Sequence, residues 1–275
     1  MDGDSYIQRR ADSVILTGDG MPEMHFPSRG LCTLDKNRLE ATISECLGRI
    51  GTSSEIHSAA RTDRGVSALS NVFTVETDLP APRIMGSLNS MIDSMVFHSW
   101  SPVARSFNPR HCENKTYRYM LQQDDLPNRE LILPQLRLFL GTHDFSAYSR
   151  RDGRNPVRTI ESIELSEDGG TVMIDFTARS FLWNQIRTIV AFVVESNAAG
   201  EIRDPFGSTD RFPKIAAAAP LILMDVRYPD ITFSPLVGRS KLAAFSKKLN
   251  EIRFRGWVSQ QLTRGITGIT SNIRK

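Results

Sequence analysis

No stretch of the 275-residue chain approaches the roughly 20 consecutive apolar residues that span a bilayer. The opening Met1-Asp2-Gly3-Asp4 lacks the basic-then-apolar order of a secretory leader, so a cytoplasmic protein is expected. Cysteine is scarce: Cys32, Cys46 and Cys112 are odd in number and form no C-x-x-C, which excludes a disulfide framework and a zinc ribbon and leaves small buried apolar residues. The histidines, His25, His57, His98, His111 and His143, are scattered without an H-x-x-x-H pair, so no metal site is expected. There is no G-x-x-x-x-G-K, no G-x-G-x-x-G after a strand and no G-x-S-x-G, which removes support for nucleotide cofactors and serine hydrolysis.

What is present is a 40% apolar chain, long enough for two domains with their own cores. The net charge of +3 says little about partners, but its distribution says more. From residue 231 to 275 nine basic residues face one acid, Glu251, giving +8, whereas residues 1–230 hold 25 basic and 30 acidic residues, giving −5. A basic terminus of this kind suits docking on phosphate; a solvated tail that aids solubility is the plain alternative.

Leu39, Ile43, Cys46, Leu47 and Ile50 recur with helical spacing, with Thr33 or Asp35 as N-cap and Gly51 as the stop. Val72–Val75 reads as a strand, Pro82 to Met95 as a second helix and Val96-Phe97 as the strand after it, the order of a split β-α-β unit. The second half repeats this order: strands over 117–121, 160–165 and 171–178, a helix over 181–194, and a short strand over 221–226. Two α+β domains are expected, over 1–105 and 106–230, followed by a basic extension over 231–275.

Three places hold residues suited to chemistry. The 181–194 helix is apolar nearly all round, and Arg187 is its sole formal charge. A guanidinium buried there needs a carboxylate partner, unless it snorkels to the surface. In the loop Ser58-Ala59-Ala60-Arg61-Thr62-Asp63-Arg64-Gly65-Val66, Asp63 stands among guanidiniums and is expected to be ionised. It can serve as a nucleophile, or simply cap a turn before Gly65. Residues 150–158 contain Arg150, Arg151, Arg154 and Arg158 among turn formers, which fits a phosphate-facing loop or a solvated one.

Arg61-Thr62-Asp63-Arg64-Gly65-Val66-Ser67-Ala68 closely resembles the R-T-D-x-G-V-x-A signature of the tRNA pseudouridine synthase A family. Further segments agree in order. Leu88-Asn89 is similar to its L-N, and Phe107 with Lys115-Thr116-Tyr117-Arg118-Tyr119 to its F-x-R and K-x-Y-x-Y. Gly141-Thr142-His143-Asp144-Phe145 resembles its G-x-H-D-F, Arg158-Thr159-Ile160 its R-T-I, and Phe181-Leu182 through Ile186-Arg187 its F-L helix ending in V-R. Ala219-Pro220-Leu221-Ile222-Leu223 is similar to its closing A-P strand, so the likeness runs over about residues 55 to 230.

The resemblance implies an α+β protein of two ferredoxin-like (RRM-like) domains sharing an extended antiparallel sheet, the pseudouridine synthase fold. It implies isomerisation of uridine to pseudouridine in tRNA, in the anticodon stem-loop, without cofactor or metal. Asp63 would be the catalytic carboxylate, attacking C1′ or taking the 2′ proton. Tyr117 would stack on the uracil, Arg187 would pair with Asp63, and Arg61 would lie against RNA backbone. Arg64, Lys115, Arg150, Arg151 and Arg154 are the expected further RNA contacts. Family members include homodimers and monomers, so the resemblance admits either. The family's Y-D-G-x-x-F/Y-x-G-W-Q opening is replaced here around Thr17 to Gly30, without its Trp and Gln, and Arg64 and Ser67 stand for its Ala and His. Those departures bear on which uridine is chosen. A non-catalytic structured-RNA-binding module and a nucleoside glycosidase releasing free uracil are the alternatives.

Overall fold

A computed structural model describes residues 13–20, 36–92, 95–150 and 152–235, with Ala243 and Lys247. Strand β1 (Ser13–Gly20) leads to helix α1 (Lys36–Arg49), then strands β2 (His57–Ser58) and β3 (Ser67–Glu76), helix α2 (Ala81–Met91) and strand β4 (Met95–Val103). The second half runs β5 (Asn114–Gln122), α3 (Ile132–Arg137), the small hairpin β6 (Gly141–Asp144) and β7 (Val157–Ile160), then β8 (Ser162–Asp168) and β9 (Thr171–Ala178). It closes with α4 (Gln185–Ala199), β10 (Leu221–Arg227) and the two-residue β11 (Ser234–Pro235).

Periodicity dictates how these elements pack. Ile43, Cys46 and Leu47 of α1 are buried with Ile84, Met85 and Leu88 of α2 against Phe73, Val75 and Phe97 of the sheet. Helix α1 ends at Gly51, whose φ of 81° is a left-handed conformation that suits a residue without Cβ. In the second half β9 alternates strictly, with Val172, Ile174, Phe176 and Ala178 buried. A second core gathers Val172, Ile174 and Phe176 with Phe139, Phe145, Tyr148 and Phe192, and it also takes in Ala59, Ala60, Ala68 and Val72 from the first half.

The main sheet has the order β11-β4-β1-β3-β10-β5-β9-β8, with β2 on β3. Within each half the pairing is antiparallel, as expected, but the seam is not. β10 joins β3 in parallel, with Ile222 opposite Ser67 and Leu223 opposite Ala68. This corrects the expectation of an antiparallel sheet throughout. Two parallel strands begin at the same edge, so the loop entering β3, which carries Asp63, and the segment entering β10 emerge side by side.

Boundaries moved where local pattern was weak. The helix expected over 181–194 begins at Gln185 and continues to Ala199, because Phe181 to Asn184 form a separate turn. The strand expected over 160–165 is two strands, β7 and β8, assigned to different sheets. The N-cap expected at Thr33 or Asp35, the opening between Met21 and Gly30, and almost all of the basic extension lie outside the described residues.

Candidate active site

The loop between β2 and β3 is held at its root from both halves. Ala59 N–H donates to Val72 O at 2.8 Å. Asn71, buried in β3, accepts from Ala60 N–H at 3.2 Å and from Val72 N–H at 3.0 Å through Oδ1, while its Nδ2 donates to Ala60 O at 3.2 Å. From the second half, Lys115 Nζ donates to Ala59 O at 2.6 Å. Beyond this root the chain turns: Val66 N–H donates to Asp63 O at 3.0 Å, with Gly65 at φ 87° in the third position of the turn. A Cβ at Gly65 would stand 3.4 Å from Ala218 Cβ, so the turn also fits against the segment leading into β10. Asp63 therefore does begin a turn, and its backbone rather than its side chain closes it.

That frees the carboxylate. Arg187 Nη1 donates to Asp63 Oδ2 at 2.9 Å, with the two side chains 18% and 28% exposed. The guanidinium is fixed on other sides as well: Nε donates to Ala216 O at 2.8 Å and Nη1 lies 3.3 Å from Asn184 Oδ1. Ala216 N–H donates in return to Arg187 O at 3.0 Å. The carboxylate partner that an arginine in an apolar helix required is thus Asp63, supplied by the other half of the chain.

Asn184 explains how the first turn of α4 is aimed. At φ 65° it is left-handed, the one described non-glycine residue with positive φ, and asparagine bears that conformation better than most side chains. Its carbonyl accepts from Thr188 N–H at 2.9 Å and from Thr188 Oγ1 at 3.0 Å, while Gln185 Oε1 accepts from Leu182 N–H at 2.8 Å. Backbone strain beside a charged pair, held by this many bonds, is the pattern of a functional site.

Tyr117 projects from β5 on the buried face and meets Phe181 edge to face at 5.4 Å between ring centres. Its hydroxyl makes no hydrogen bond among the described residues. Burial pushes its ionisation upward, and the negative charge of Asp63 adds to this, so the phenol stays protonated. Two residues along, Tyr119 Oη donates to Ala217 O at 3.0 Å, tying β5 to the same Ala216–Ala219 segment.

The other residues expected at the site divide. Arg61 and Arg64 are exposed on the Asp63 turn, and Arg61 makes no ion pair among the described residues. Arg150 is exposed with its guanidinium 4.1 Å from the centre of the Trp183 ring. Arg154 is exposed but bound to Asp152, Nε to Oδ2 at 2.7 Å, and Arg151 lies outside the described residues. Lys115 is not a surface cation. It is 8% exposed, burial pushes its pKa down, and its ammonium is spent on Ala59 O, so the expectation of an RNA contact there is corrected to a bond that braces the Asp63 loop. Asn71, Asn184 and the Ala216–Ala219 segment were not anticipated. An asparagine set between Trp183 and Gln185 in an apolar run was the one sequence signal that could have marked Asn184.

A mixed α+β sheet protein with an arginine-paired carboxylate whose charge reaches a buried, protonated tyrosine defines a class of site, and comparison with known proteins places it. Residues 136–229 match the family described as tRNA pseudouridine synthase. The chain is 46% identical to tRNA pseudouridine synthase A of Thermoplasma acidophilum, over 71% of this chain and 76% of that protein. It is 37% identical to tRNA pseudouridine synthase A of Pyrococcus abyssi, over 79% of this chain and 84% of that protein. A solved archaeal box H/ACA sRNP Nop10–Cbf5 complex is also similar, at 14% identity and a TM-score of 0.39 over 67% of this chain and 42% of that one, too slight a likeness to argue from. The protein belongs to the tRNA pseudouridine synthase A family.

Proposed function

We propose that this protein isomerises uridine to pseudouridine in tRNA, in the anticodon stem-loop, with Asp63 as its catalytic carboxylate. The reaction breaks the N1–C1′ bond, turns the uracil, forms C5–C1′ and moves a proton from C5 to solvent while N1 gains one. Every atom of the product is already in the nucleotide or in water and no oxidation state of the pair changes overall, so the chemistry calls for no co-substrate.

The observation that carries the reading is the Asp63–Arg187 pair. Arg187 takes one carboxylate oxygen, Oδ2, and leaves Oδ1 without a partner among the described residues. An oriented carboxylate with one open oxygen suits either route, attack on C1′ or removal of the 2′ proton. Tyr117, protonated and with an unengaged hydroxyl, offers a flat surface for a uracil and a proton near it. A base must leave its stack to reach such a site, at a cost of about a few kcal/mol, and stacking on an aromatic ring offsets part of it. Arg61 and Arg64, exposed on the same turn, are suited to hold phosphate while the nucleotide is turned out.

The strand orders β4-β1-β3-β2 and β10-β5-β9-β8, each with two helices, support reading the halves 1–105 and 106–230 as two ferredoxin-like units around this site. The test is to incubate unmodified tRNA transcripts with wild type and with Asp63→Asn, then map pseudouridine by carbodiimide labelling and primer extension. New stops with wild type alone support the assignment and name the uridine. Binding without stops on any tRNA would make the protein a structured-RNA-binding module, and strand scission after aniline would make it a glycosidase.

A further inference from the structure

We propose that Trp183 and Arg150 form a stacking site for one unpaired RNA nucleotide beside the target uridine, a placement that rests on reading Asp63, Arg187 and Tyr117 as the catalytic site. Trp183 stands out in its own segment. Leu182 and Gln185 are buried, whereas Trp183 is 40% exposed. Phe181 packs on Tyr117, and Asn184 holds the arginine that holds Asp63, so Trp183 lies between a residue touching the tyrosine and one touching the ion pair. Its backbone therefore cannot be far from the rim of the site, since adjacent Cα atoms are about 3.8 Å apart.

Arg150 meets Trp183 through both its backbone and its side chain. Arg150 N–H donates to Trp183 O at 2.9 Å, and the Arg150 guanidinium carbon sits 4.1 Å from the ring centre. A guanidinium over an indole face presents its N–H groups outward. Several arginines of the second half are neutralised, Arg154 by Asp152, Arg118 by Asp175 and Arg203 by Glu195, whereas Arg150 is among those that are not, and among the described residues it is the one whose guanidinium lies over a tryptophan ring. Arg150 has no ion pair among the described residues, and neither has Arg61 in the loop that carries Asp63.

An exposed tryptophan holding an unneutralised arginine combines the two features that single-stranded nucleic acid requires, an aromatic plane for a base and a positive charge for its phosphate. A protein partner would need an apolar patch without a charge over it, whereas the Trp183 ring carries the Arg150 guanidinium. The occupant is a splayed nucleotide flanking the one being modified, stacked on the indole–guanidinium pair with its phosphate toward Arg150.

The experiment measures Kd for unmodified tRNA transcript by filter binding at several salt concentrations, using wild type, Trp183→Ala, Trp183→Phe and Arg150→Ala, together with tryptophan fluorescence during titration. Trp183→Ala is expected to raise Kd roughly tenfold and Trp183→Phe to recover most of the loss. Arg150→Ala is expected to lower the salt slope by about one. Wild-type fluorescence, from Trp100, Trp183 and Trp257, is expected to be quenched by tRNA, and Trp183→Phe to lose most of that quenching. A Kd for folded Trp183→Ala within about twofold of wild type, or quenching undiminished in Trp183→Phe, overturns the site. If Trp183→Ala fails to fold, the fluorescence comparison alone decides. Weakened binding by these variants in a protein that makes no pseudouridine would uphold the stacking site and overturn the catalytic reading instead.

Discussion

Arg187 Nη1 lies 2.9 Å from Asp63 Oδ2 although 124 residues separate them in the chain, and the bond crosses the parallel seam between β3 and β10. The same guanidinium bonds Ala216 O and Asn184 Oδ1, so it orients the carboxylate, the turn before α4 and the approach to β10 at once. Arg187→Lys keeps the charge but replaces a planar fork by a single point of attachment. It is expected to lower kcat by about a hundredfold and to cost about 1 to 2 kcal/mol of stability; Arg187→Met is expected to cost about 3 kcal/mol, since it strands the carboxylate. Single-turnover kinetics and urea unfolding measure these, and a Lys variant with wild-type kcat would remove the orienting role.

Asp63→Asn is expected to abolish turnover, by at least about 10⁴-fold, because the group that reacts is removed rather than displaced. tRNA affinity is expected to change by less than about threefold, because the amide keeps the volume and a hydrogen-bond acceptor for Arg187. Tritium release from C5-labelled tRNA and filter binding read the two quantities separately. Residual turnover of about a tenth of wild type would take Asp63 out of the mechanism.

Lys115 reaches from β5 to Ala59 O on the other side of the seam. Lys115→Met leaves that carbonyl without its donor and is expected to cost about 1 to 3 kcal/mol. Because the Asp63 turn then loses a brace, kcat is expected to fall by about tenfold or more with little change in KM for tRNA. An increase in KM alone would restore the phosphate-contact role that the buried position argues against.

Alkaline stability follows from the tyrosines. Tyr117, Tyr119, Tyr148 and Tyr228 all have their ionisation pushed above the ordinary value of 10, chiefly by burial. Above pH 10 the unfolded chain releases these protons while the folded chain retains them. Stability is therefore expected to be intact below pH 10 and to fall above it, by up to about 1.4 kcal/mol per pH unit for each tyrosine. Lys115, shifted down by burial, acts with the opposite sign: the unfolded chain holds its proton longer, so stability gains with pH until 10.5 is passed. Tyr117→Phe removes a buried hydroxyl without a hydrogen bond among the described residues. It is expected to leave the melting temperature near neutral pH almost unchanged and to make the loss above pH 10 shallower. An identical alkaline slope would mean the phenol is not held protonated in the fold.

Asn184→Gly keeps the left-handed backbone and loses the side-chain contact to Arg187, whereas Asn184→Ala loses both. The Ala variant is expected to be less stable than the Gly variant by about 1 kcal/mol, with both reduced in kcat. Thermal melts beside single-turnover rates check this; equal melts would mean that φ 65° carries no strain here.

Much of this site was legible as parts. Helical spacing in Ile43, Cys46 and Leu47 and strict alternation in Thr171–Ala178 fixed elements and their buried faces, because period alone decides which side chains leave water. A lone arginine in an apolar helix narrowed its fate to a carboxylate partner or an escape to the surface, because an unpaired buried charge is too costly to keep, and the fold chose the first. The arginine-rich loop at 150–158 was equally visible, yet composition did not separate Arg154, neutralised by Asp152, from Arg150, which lies over Trp183 without an ion pair among the described residues.

The sequence by itself determined the chemical inventory: Asp63 in a turn before Gly65, Tyr117 on a strand and Arg187 in an apolar helix, since each follows from short-range pattern or from the cost of burying charge. Only the tertiary structure decided that Lys115 faces inward to Ala59 O and that Asn184 aims α4. It also decided that β3 and β10 run parallel, so that two loops far apart in the chain share one edge of the sheet. The reason is that strand direction across a seam, and which neighbour takes up a donor, depend on contacts between segments that no local period encodes.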